Sequence, residues 1–222
     1  MRPYADNVWL RLLPLEKTTA SGIVLVECER KQKGTRRAQV VASGRGYVTR
    51  RGAFVENTAK VGSTVYVYAL AGQDWSKDFD PPRHNTKEKA LFDSIAGERG
   101  EHRIAREAEL LAVETDDGGI QALGEYVIVR RSEAAKVSSG GIHIPEDHAP
   151  RPMTGEVLSV GPGRVREDGK RHALDIRVGD TAMFQRFAGS EIEVKGETLL
   201  LLREDDLVCV IDSDDAKAVE AA

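Results

Sequence analysis

The sequence is poor in aromatic residues and in cysteine, and it has no long apolar run. Aromatic residues make up 5% of the 222 residues, and Cys28 and Cys209 are the two cysteines. Neither has a CxxC or Cys/His partner nearby, so we expect free thiols in a reducing compartment and no structural zinc site. No stretch approaches the roughly 18 apolar residues of a membrane span, and the N-terminal residues lack the apolar core of a secretory signal. We therefore expect a soluble, cytoplasmic protein without a membrane partner.

Motifs of catalysis are also missing. The two Gly-x-Gly pairs resemble the start of a GxGxxG dinucleotide motif, but Thr49 and Arg166 occupy the position of its third glycine, and no helix pattern follows. No GxSxG nucleophile motif occurs. The sequence thus predicts no catalytic residue, no metal site and no cofactor. The histidines show no HExxH or other ligand spacing; they are His84, His102, His143, His148 and His172.

The charge of the chain does not favour nucleic acid. The net charge is −4, which gives no general attraction to a polyanion. Residues 30–37 form a local basic run, but they contain none of the stacking aromatic residues that single-stranded nucleic-acid barrels interleave with basic ones. We interpret the run as a solvated loop and keep a nucleic-acid-binding barrel as an alternative.

The chain contains an internal sequence repeat of two copies. Its first copy carries about 20 extra residues. The pattern predicts two domains, 1–117 with an insertion at about 73–105, and 118–222 with a short C-terminal tail; Asp116–Gly119 would link them. The aligned segments are 2–11 with 121–130, 21–25 with 140–144, 39–46 with 156–163, 61–64 with 178–181, and 106–113 with 203–210.

The repeated segments predict an all-β fold. They are short, rich in β-branched residues and alternate with period two, which is typical of strands in a barrel or sandwich. Val8, Leu10 and Leu12 would face one side, as would Val127 and Val129. The Gly-x-Gly pairs 44/46 and 161/163 follow a strand, where a positive φ or a sharp reversal requires glycine. The fold class is two tandem β-barrels, the first with an insertion that could hold one short helix at Thr86–Ile95.

These residues carry a family resemblance. Each copy resembles the small co-chaperonin GroES, the ring-shaped lid of the GroEL-type chaperonin. The matching elements are the opening strands at 6–11 and 125–130, the polar loops that end in an apolar triplet, the Gly-x-Gly turns, the Val-Gly-Ser/Asp-Thr segments and the acidic-then-aliphatic closing strands. Two modules in one chain are similar to the double-barrel co-chaperonin of chloroplasts.

The resemblance implies a site and partners. In the family, a polar loop is mobile until its apolar tip enters a groove on the chaperonin. The corresponding residues here are Gly22, Ile23, Val24 and Leu25 in the first copy, and Gly141, Ile142, His143 and Ile144 in the second. The implied partners are an ATP-loaded GroEL-type chaperonin, further chains in a ring, with or without single-barrel co-chaperonin subunits, and unfolded client proteins. ATP would be bound by the chaperonin and not by this chain.

The two tips differ in composition. Burying each apolar side chain of the first tip would contribute about 1.5 to 3 kcal/mol of binding free energy, whereas ordering the loop costs about 2 to 5 kcal/mol. One loop alone should therefore bind weakly, and a ring of loops firmly. The second tip has His143 at its centre, and burying an unpartnered imidazole is unfavourable. We expect the second tip to bind less well than the first.

The segments 44–62 and 161–179 correspond to the roof hairpin of the family. They contain Arg45, Arg50 and Arg51 in one copy and Arg164, Arg166, Lys170 and Arg171 in the other. A basic roof would alter which clients are tolerated in the enclosed chamber. The rival hypothesis is a structural or assembly role for the barrels, with the apolar triplets as ordinary buried strands.

Overall fold

The computed structural model describes residues 2–14, 34–74, 102–132 and 153–211. Contacts between Cα atoms divide the chain into two compact units. The first comprises Met1–Gly118 with Val165–Lys170, and the second comprises Gly119–Arg164 with Arg171–Ala222. The predicted helix at 86–95 lies outside the described residues.

The regular secondary structure of the described residues consists of β-strands and two short 3-10 helices at Glu107–Glu109 and Glu204–Asp206, joined by turns and irregular segments. The all-β prediction is therefore confirmed. The strands are β1 Asn7–Leu12, β2 Thr35–Ser43, β3 Gly46–Val48, β4 Phe54–Glu56, β5 Thr64–Tyr68, β6 Gln73–Asp74, β7 His102–Arg106, β8 Leu110–Glu114, β9 Ile120–Ala122, β10 Tyr126–Arg131, β11 Thr154–Val160, β12 Arg164–Val165, β13 Arg171–His172, β14 Thr181–Phe184, β15 Ser190–Val194, β16 Glu197–Arg203 and β17 Leu207–Ile211.

In the first unit, antiparallel strands lie side by side in the order β6-β7-β1-β2-β5-β8. The alternating pattern of β1 has the predicted result, because Val8, Leu10 and Leu12 are all buried. Burying one apolar face of each strand supplies the main stabilising free energy of such a unit.

In the second unit, the order is β15-β16-β10-β11-β14-β17. Val127 and Val129 of β10 are buried as predicted, but so is Ile128 on the opposite face. That face is covered by β9, since the hydroxyl of Ser159, the cross-strand partner of Ile128, accepts a hydrogen bond from the Ala122 amide at 3.0 Å. The core on the first face contains Val127, Val129, Val157, Leu174, Ile176, Ala182, Phe184, Leu200 and Leu202.

The two units share irregularities of strand pairing as well as sequence. The register of β1 with β2 shifts between Trp9 and Leu10, and that of β10 with β11 shifts between Ile128 and Val129, which are aligned positions. β5 with β8 and β14 with β17 shift at aligned positions too. Such β-bulges add a residue to one strand and bend it, so both copies bend at the same places.

The extra residues of the first copy interrupt a hairpin. Gln73 pairs with Ile104 and Asp74 with Arg103. The aligned pairs in the second copy are Ser190 with Leu201 and Glu191 with Leu200, in the hairpin of β15 and β16. The flanks of the insertion thus keep the register of a hairpin that the second copy closes at Lys195 and Gly196. Residues 75–101 lie outside the described part of the chain.

The Gly-x-Gly pairs form the predicted turns. The second glycine of each pair is required by its φ angle, and the first by a close approach of the backbone. Gly46 and Gly163 have φ angles of 116° and 90°, which favour glycine. At Gly44 and Gly161, a Cβ would overlap the backbone oxygen of Ala5 or Gly124. Beyond each turn lies a separate two-stranded hairpin, β3–β4 in the first copy and β12–β13 in the second.

Candidate partner-binding site

The predicted binding residues themselves, Gly22–Leu25 and Gly141–Ile144, lie outside the described residues. The structure describes the strands that precede and follow them. The first predicted loop connects β1 to β2, and the second connects β10 to β11. Both pairs of strands are antiparallel neighbours, so the two ends of each loop meet at one end of its barrel.

The base of the first loop is fixed by three strands. The Leu13 amide, just after β1, donates a hydrogen bond to the Arg37 carbonyl at 2.9 Å. The Gly34 carbonyl, just before β2, accepts a hydrogen bond from the Ala69 amide at 2.9 Å. The ends of the loop are therefore held by β2 and by the residue that follows β5.

An ion pair joins β2 to β8 near the base of the first loop. The Arg37 guanidinium contacts the Glu114 carboxylate at 2.7 Å, and the Tyr66 hydroxyl donates to that carboxylate at 3.1 Å. Burial and the negative charge of Glu114 raise the pKa of the Tyr66 hydroxyl to about 12. Arg37 belongs to the basic run of residues 30–37, so part of that run links β2 to β8.

The second loop has an equivalent base with different side chains. The Ser132 amide donates to the Thr154 carbonyl at 2.9 Å, and the Phe184 amide donates to the Met153 carbonyl at 2.9 Å. The Arg131 guanidinium carbon lies 5.1 Å from the centre of the Phe184 ring, a cation–π distance. A rigid frame that presents a long connection is the usual setting of a binding loop.

Two large apolar side chains at this end of the barrels were not predicted from the sequence. Leu70 is 84% exposed and Phe187 is 92% exposed. They occupy aligned positions, in the turns that follow β5 and β14. The signal that could have identified them was the repetition of a bulky apolar residue within a turn of each copy.

The roof segments are hairpins with exposed basic residues. In the first hairpin, Val48 and Phe54 form a cross-strand pair and are 63% and 59% exposed. The basic residues predicted for the two roofs are all exposed, namely Arg45, Arg50, Arg51, Arg164, Arg166, Lys170 and Arg171.

The imidazole of His102 contacts Trp9 within the first unit, and the thiol of Cys209 is exposed. The His102 Nδ1 atom accepts a hydrogen bond from the Trp9 indole at 3.0 Å, and the two rings make an edge contact. Cys209 is a free, exposed thiol, as expected; Cys28 lies outside the described residues. Within the described ranges, no three His, Cys, Asp or Glu side chains converge as a metal site would require.

The duplicated antiparallel units, their shared bulges and their loop-bearing hairpins define a tandem barrel protein whose two modules are copies of one another. The chain belongs to the chaperonin 10 kDa subunit family, whose model matches it twice, over residues 1–113 and 119–211. The two modules are GroES-like barrels, which confirms the resemblance stated from the sequence.

Individual relatives each match about the length of one copy. The co-chaperonin GroES of Nitrosococcus oceani is 46% identical over 93 residues, which are 42% of this chain and 97% of that protein. The GroES of Acidithiobacillus ferrooxidans is 43% identical over 93 residues, 42% of this chain and 97% of its own length. The GroES of Solidesulfovibrio magneticus is 44% identical over 94 residues, 42% of this chain and 98% of its own length.

Proposed function

We propose that the chain is a co-chaperonin that assembles into a ring, caps an ATP-loaded GroEL-type chaperonin and encloses folding clients in the cytoplasm. The observation that carries the proposal is the double match to the chaperonin 10 family, which spans both copies. Relatives that carry the name co-chaperonin are more than 40% identical over a whole barrel.

The chaperonin-binding residues of this proposal are the tips Gly22–Leu25 and Gly141–Ile144. Support comes from the described bases of the loops, where hydrogen bonds at 2.9 Å hold both ends of each loop against neighbouring strands. A loop whose ends are fixed loses less conformational entropy when its tip is captured than a free peptide would.

Self-association is the second part of the proposal. Within the described residues, β15 and β17 are the outer strands of the second sheet, and Val208 on β17 is 63% exposed. A free strand edge with an exposed apolar residue favours pairing with another chain. The basic hairpins would then contribute to the surface that clients meet.

The alternative nucleic-acid hypothesis loses part of its basis. Arg37, from the basic run, is engaged by Glu114, and Arg36 lies on the same strand, where its guanidinium donates to the Leu13 carbonyl at 3.4 Å. Arginines that bond to groups within the sheet are less available to the phosphates of single-stranded nucleic acid than solvated arginines are.

The test is to compare the two tips in binding to a GroEL-type chaperonin in the presence of ATP. Ile23→Ser should weaken the apparent affinity of the chain by about tenfold or more, because it removes one buried aliphatic side chain from the first loop of every chain. Ile142→Ser should weaken it less, because its tip contains His143. The control is Val61→Ser, which alters an exposed apolar residue outside the loops.

Equal losses from the two tip variants would contradict the ranking of the loops. Failure of the unaltered chain to bind any ATP-loaded GroEL-type chaperonin would contradict the proposed function as a whole and favour a structural or assembly role.

A further inference from the structure

Leu70 and Phe187 lie at the end of each barrel where the predicted loop rejoins the sheet. Leu70 lies in the turn after β5, and Phe187 lies in the turn after β14. Each of these strands pairs with the strand that follows a predicted loop. Tyr68, the last residue of β5, pairs with Thr35, the first residue of β2. Phe184, the last residue of β14, hydrogen-bonds Met153 immediately before β11.

The turns that hold these residues are fixed by the barrels. Arg103 donates to the carbonyls of Ala69 and Ala71 at 2.9 and 3.1 Å, on either side of Leu70. In the second copy, the Ala188 amide donates to the Gln185 carbonyl at 3.0 Å and so closes the turn around Phe187.

A glycine ends each turn and brings it close to the next strand. Gly72 and Gly189 have φ angles of 72° and 78°. A Cβ at Gly72 would lie 2.7 Å from the Ile104 oxygen, and one at Gly189 would lie 2.6 Å from the Leu201 oxygen. Both turns are therefore packed against β7 or β16, and they present their apolar side chains from a rigid base.

We propose that Leu70 and Phe187 form a second, rigid contact with the chaperonin. They would dock on an apolar patch of the chaperonin, beside the groove that binds the loop tip. The inference rests on the proposed function. Gly34 and Met153, the first described residues after the two loops, accept hydrogen bonds from Ala69 and Phe184, next to Leu70 and to the turn of Phe187. A partner held by the loops is therefore brought to this end of each barrel. An apolar anchor next to a weakly bound tip gains from the high effective concentration that the tip provides.

The second unit adds further apolar surface at the same place. Met153, which immediately precedes β11, is 48% exposed. Phe187 also lies 6.0 Å from the Arg186 guanidinium, a distance at which the charge can stack on the ring without covering it. The second barrel, whose loop tip contains His143, thus has the larger rigid anchor.

The chain offers matched controls. Val61 and Val178 are also aligned between the copies, and each is 65% exposed. They precede β5 and β14, whereas Leu70 and Phe187 follow these strands, so they lie at the other ends of the same strands. The neighbouring Gly62 and Gly179 hydrogen-bond Val40 and Val157, in the second half of β2 and within β11.

The experiment is a titration of the full chain onto a GroEL-type chaperonin loaded with ATP, with native mass spectrometry of each variant alone. Leu70→Ser and Phe187→Ser should each raise the apparent dissociation constant by about tenfold, and the double variant by more, since each removes a large apolar contact. Val61→Ser and Val178→Ser should leave it unchanged. Thermal unfolding should be the same for all four single variants, because each altered side chain is exposed.

Three results would overturn the inference, and they are distinguishable. If the unaltered chain binds and the double variant binds equally well, the rigid contact does not exist while the proposed function stands. If the double variant loses its oligomeric mass along with its binding, the residues join copies of this chain. If the unaltered chain binds no ATP-loaded chaperonin, the proposed function fails and the second contact fails with it.

Discussion

Tyr66 is a residue whose acid–base chemistry the fold changes. Its ring is buried in the first unit, and its hydroxyl donates a hydrogen bond to Glu114 at 3.1 Å. Burial is the main cause that raises its pKa from 10.0 to about 12; the charge of Glu114 and the hydrogen bond to it act in the same direction, and Arg37 opposes them. The neutral phenol is therefore the form that the folded state stabilises.

The stability of the first unit should fall with rising pH because of this residue. A pKa that is higher in the folded state than in the unfolded state gives stabilisation that is complete below pH 10 and is lost as the pH rises through about 12. Tyr66→Phe should remove that part of the pH dependence and cost about 1 kcal/mol at pH 7 for the lost hydrogen bond. Urea unfolding at several pH values between 8 and 12 would measure both effects.

A matched control for this measurement is Tyr4→Phe, since Tyr4 is 88% exposed. The control should keep the pH dependence of the unaltered chain. If Tyr66→Phe keeps it as well, Tyr66 does not carry the effect. Ultraviolet titration of the folded chain gives a second readout, in which Tyr66→Phe should lose a tyrosine ionisation step at about pH 12.

At the same scale, the sequence could not distinguish the buried Phe184 from the exposed Phe187. Both lie in the same short segment, and both are large apolar residues expected in a core. Phe184 ends β14 and is 1% exposed, whereas Phe187 lies in the turn and is 92% exposed. Strand alternation no longer determines the direction of a side chain once the chain leaves the strand, so the exposure of Phe187 follows from the folded turn and not from the sequence pattern.

At the scale of elements, strands were predictable from short runs rich in β-branched and apolar residues, which alternate in β1 and are continuous in β10. The insertion was located less closely, because β6 and β7 have little sequence in common with β15 and β16. The register of the two hairpins is nevertheless the same, since backbone hydrogen bonds tolerate many different side chains. The loop tips remain predictions, because an apolar triplet alone does not distinguish a binding loop from a strand.

The turn that leads into the second roof hairpin gives a prediction about glycine. Gly163 and Gly179 have similar φ angles, 90° and 96°. A Cβ at Gly163 would overlap the His172 carbonyl, whereas one at Gly179 would meet nothing within 4 Å. Gly179→Ala should therefore cost about 1 to 2 kcal/mol of backbone strain, and Gly163→Ala about 3 to 5 kcal/mol because a steric overlap is added.

Thermal or urea unfolding of the two glycine variants would measure the difference. The comparison isolates the close approach of backbone to backbone, because the backbone strain is nearly the same at the two positions. Equal destabilisation by the two substitutions would mean that β12 and β13 separate at little cost, and that the hairpin does not fix the turn.

At the scale of the whole molecule, the two copies divide their features unequally. The first has the fully apolar tip Ile23–Leu25 and the insertion; the second has His143 in its tip, the larger anchor Phe187 and a compact hairpin. A ring built from such chains alternates two kinds of module. Its affinity for a partner would then be the combined effect of strong tips and strong rigid anchors on alternating barrels.

The number of barrels sets the last prediction. The proposed function brings with it a sevenfold chaperonin, as the family resemblance implies, and whole chains of two barrels cannot supply seven. Under the proposed function, three chains would present six barrels and four would present eight, so seven barrels need either three chains plus one single-barrel subunit or a fourth chain with one barrel unused. We expect the arrangement with the single-barrel subunit. Native mass spectrometry should show three chains of 24.3 kDa alone, and three chains plus one single-barrel subunit in the mixture; a mixture without any mixed species would show that the ring closes in another way.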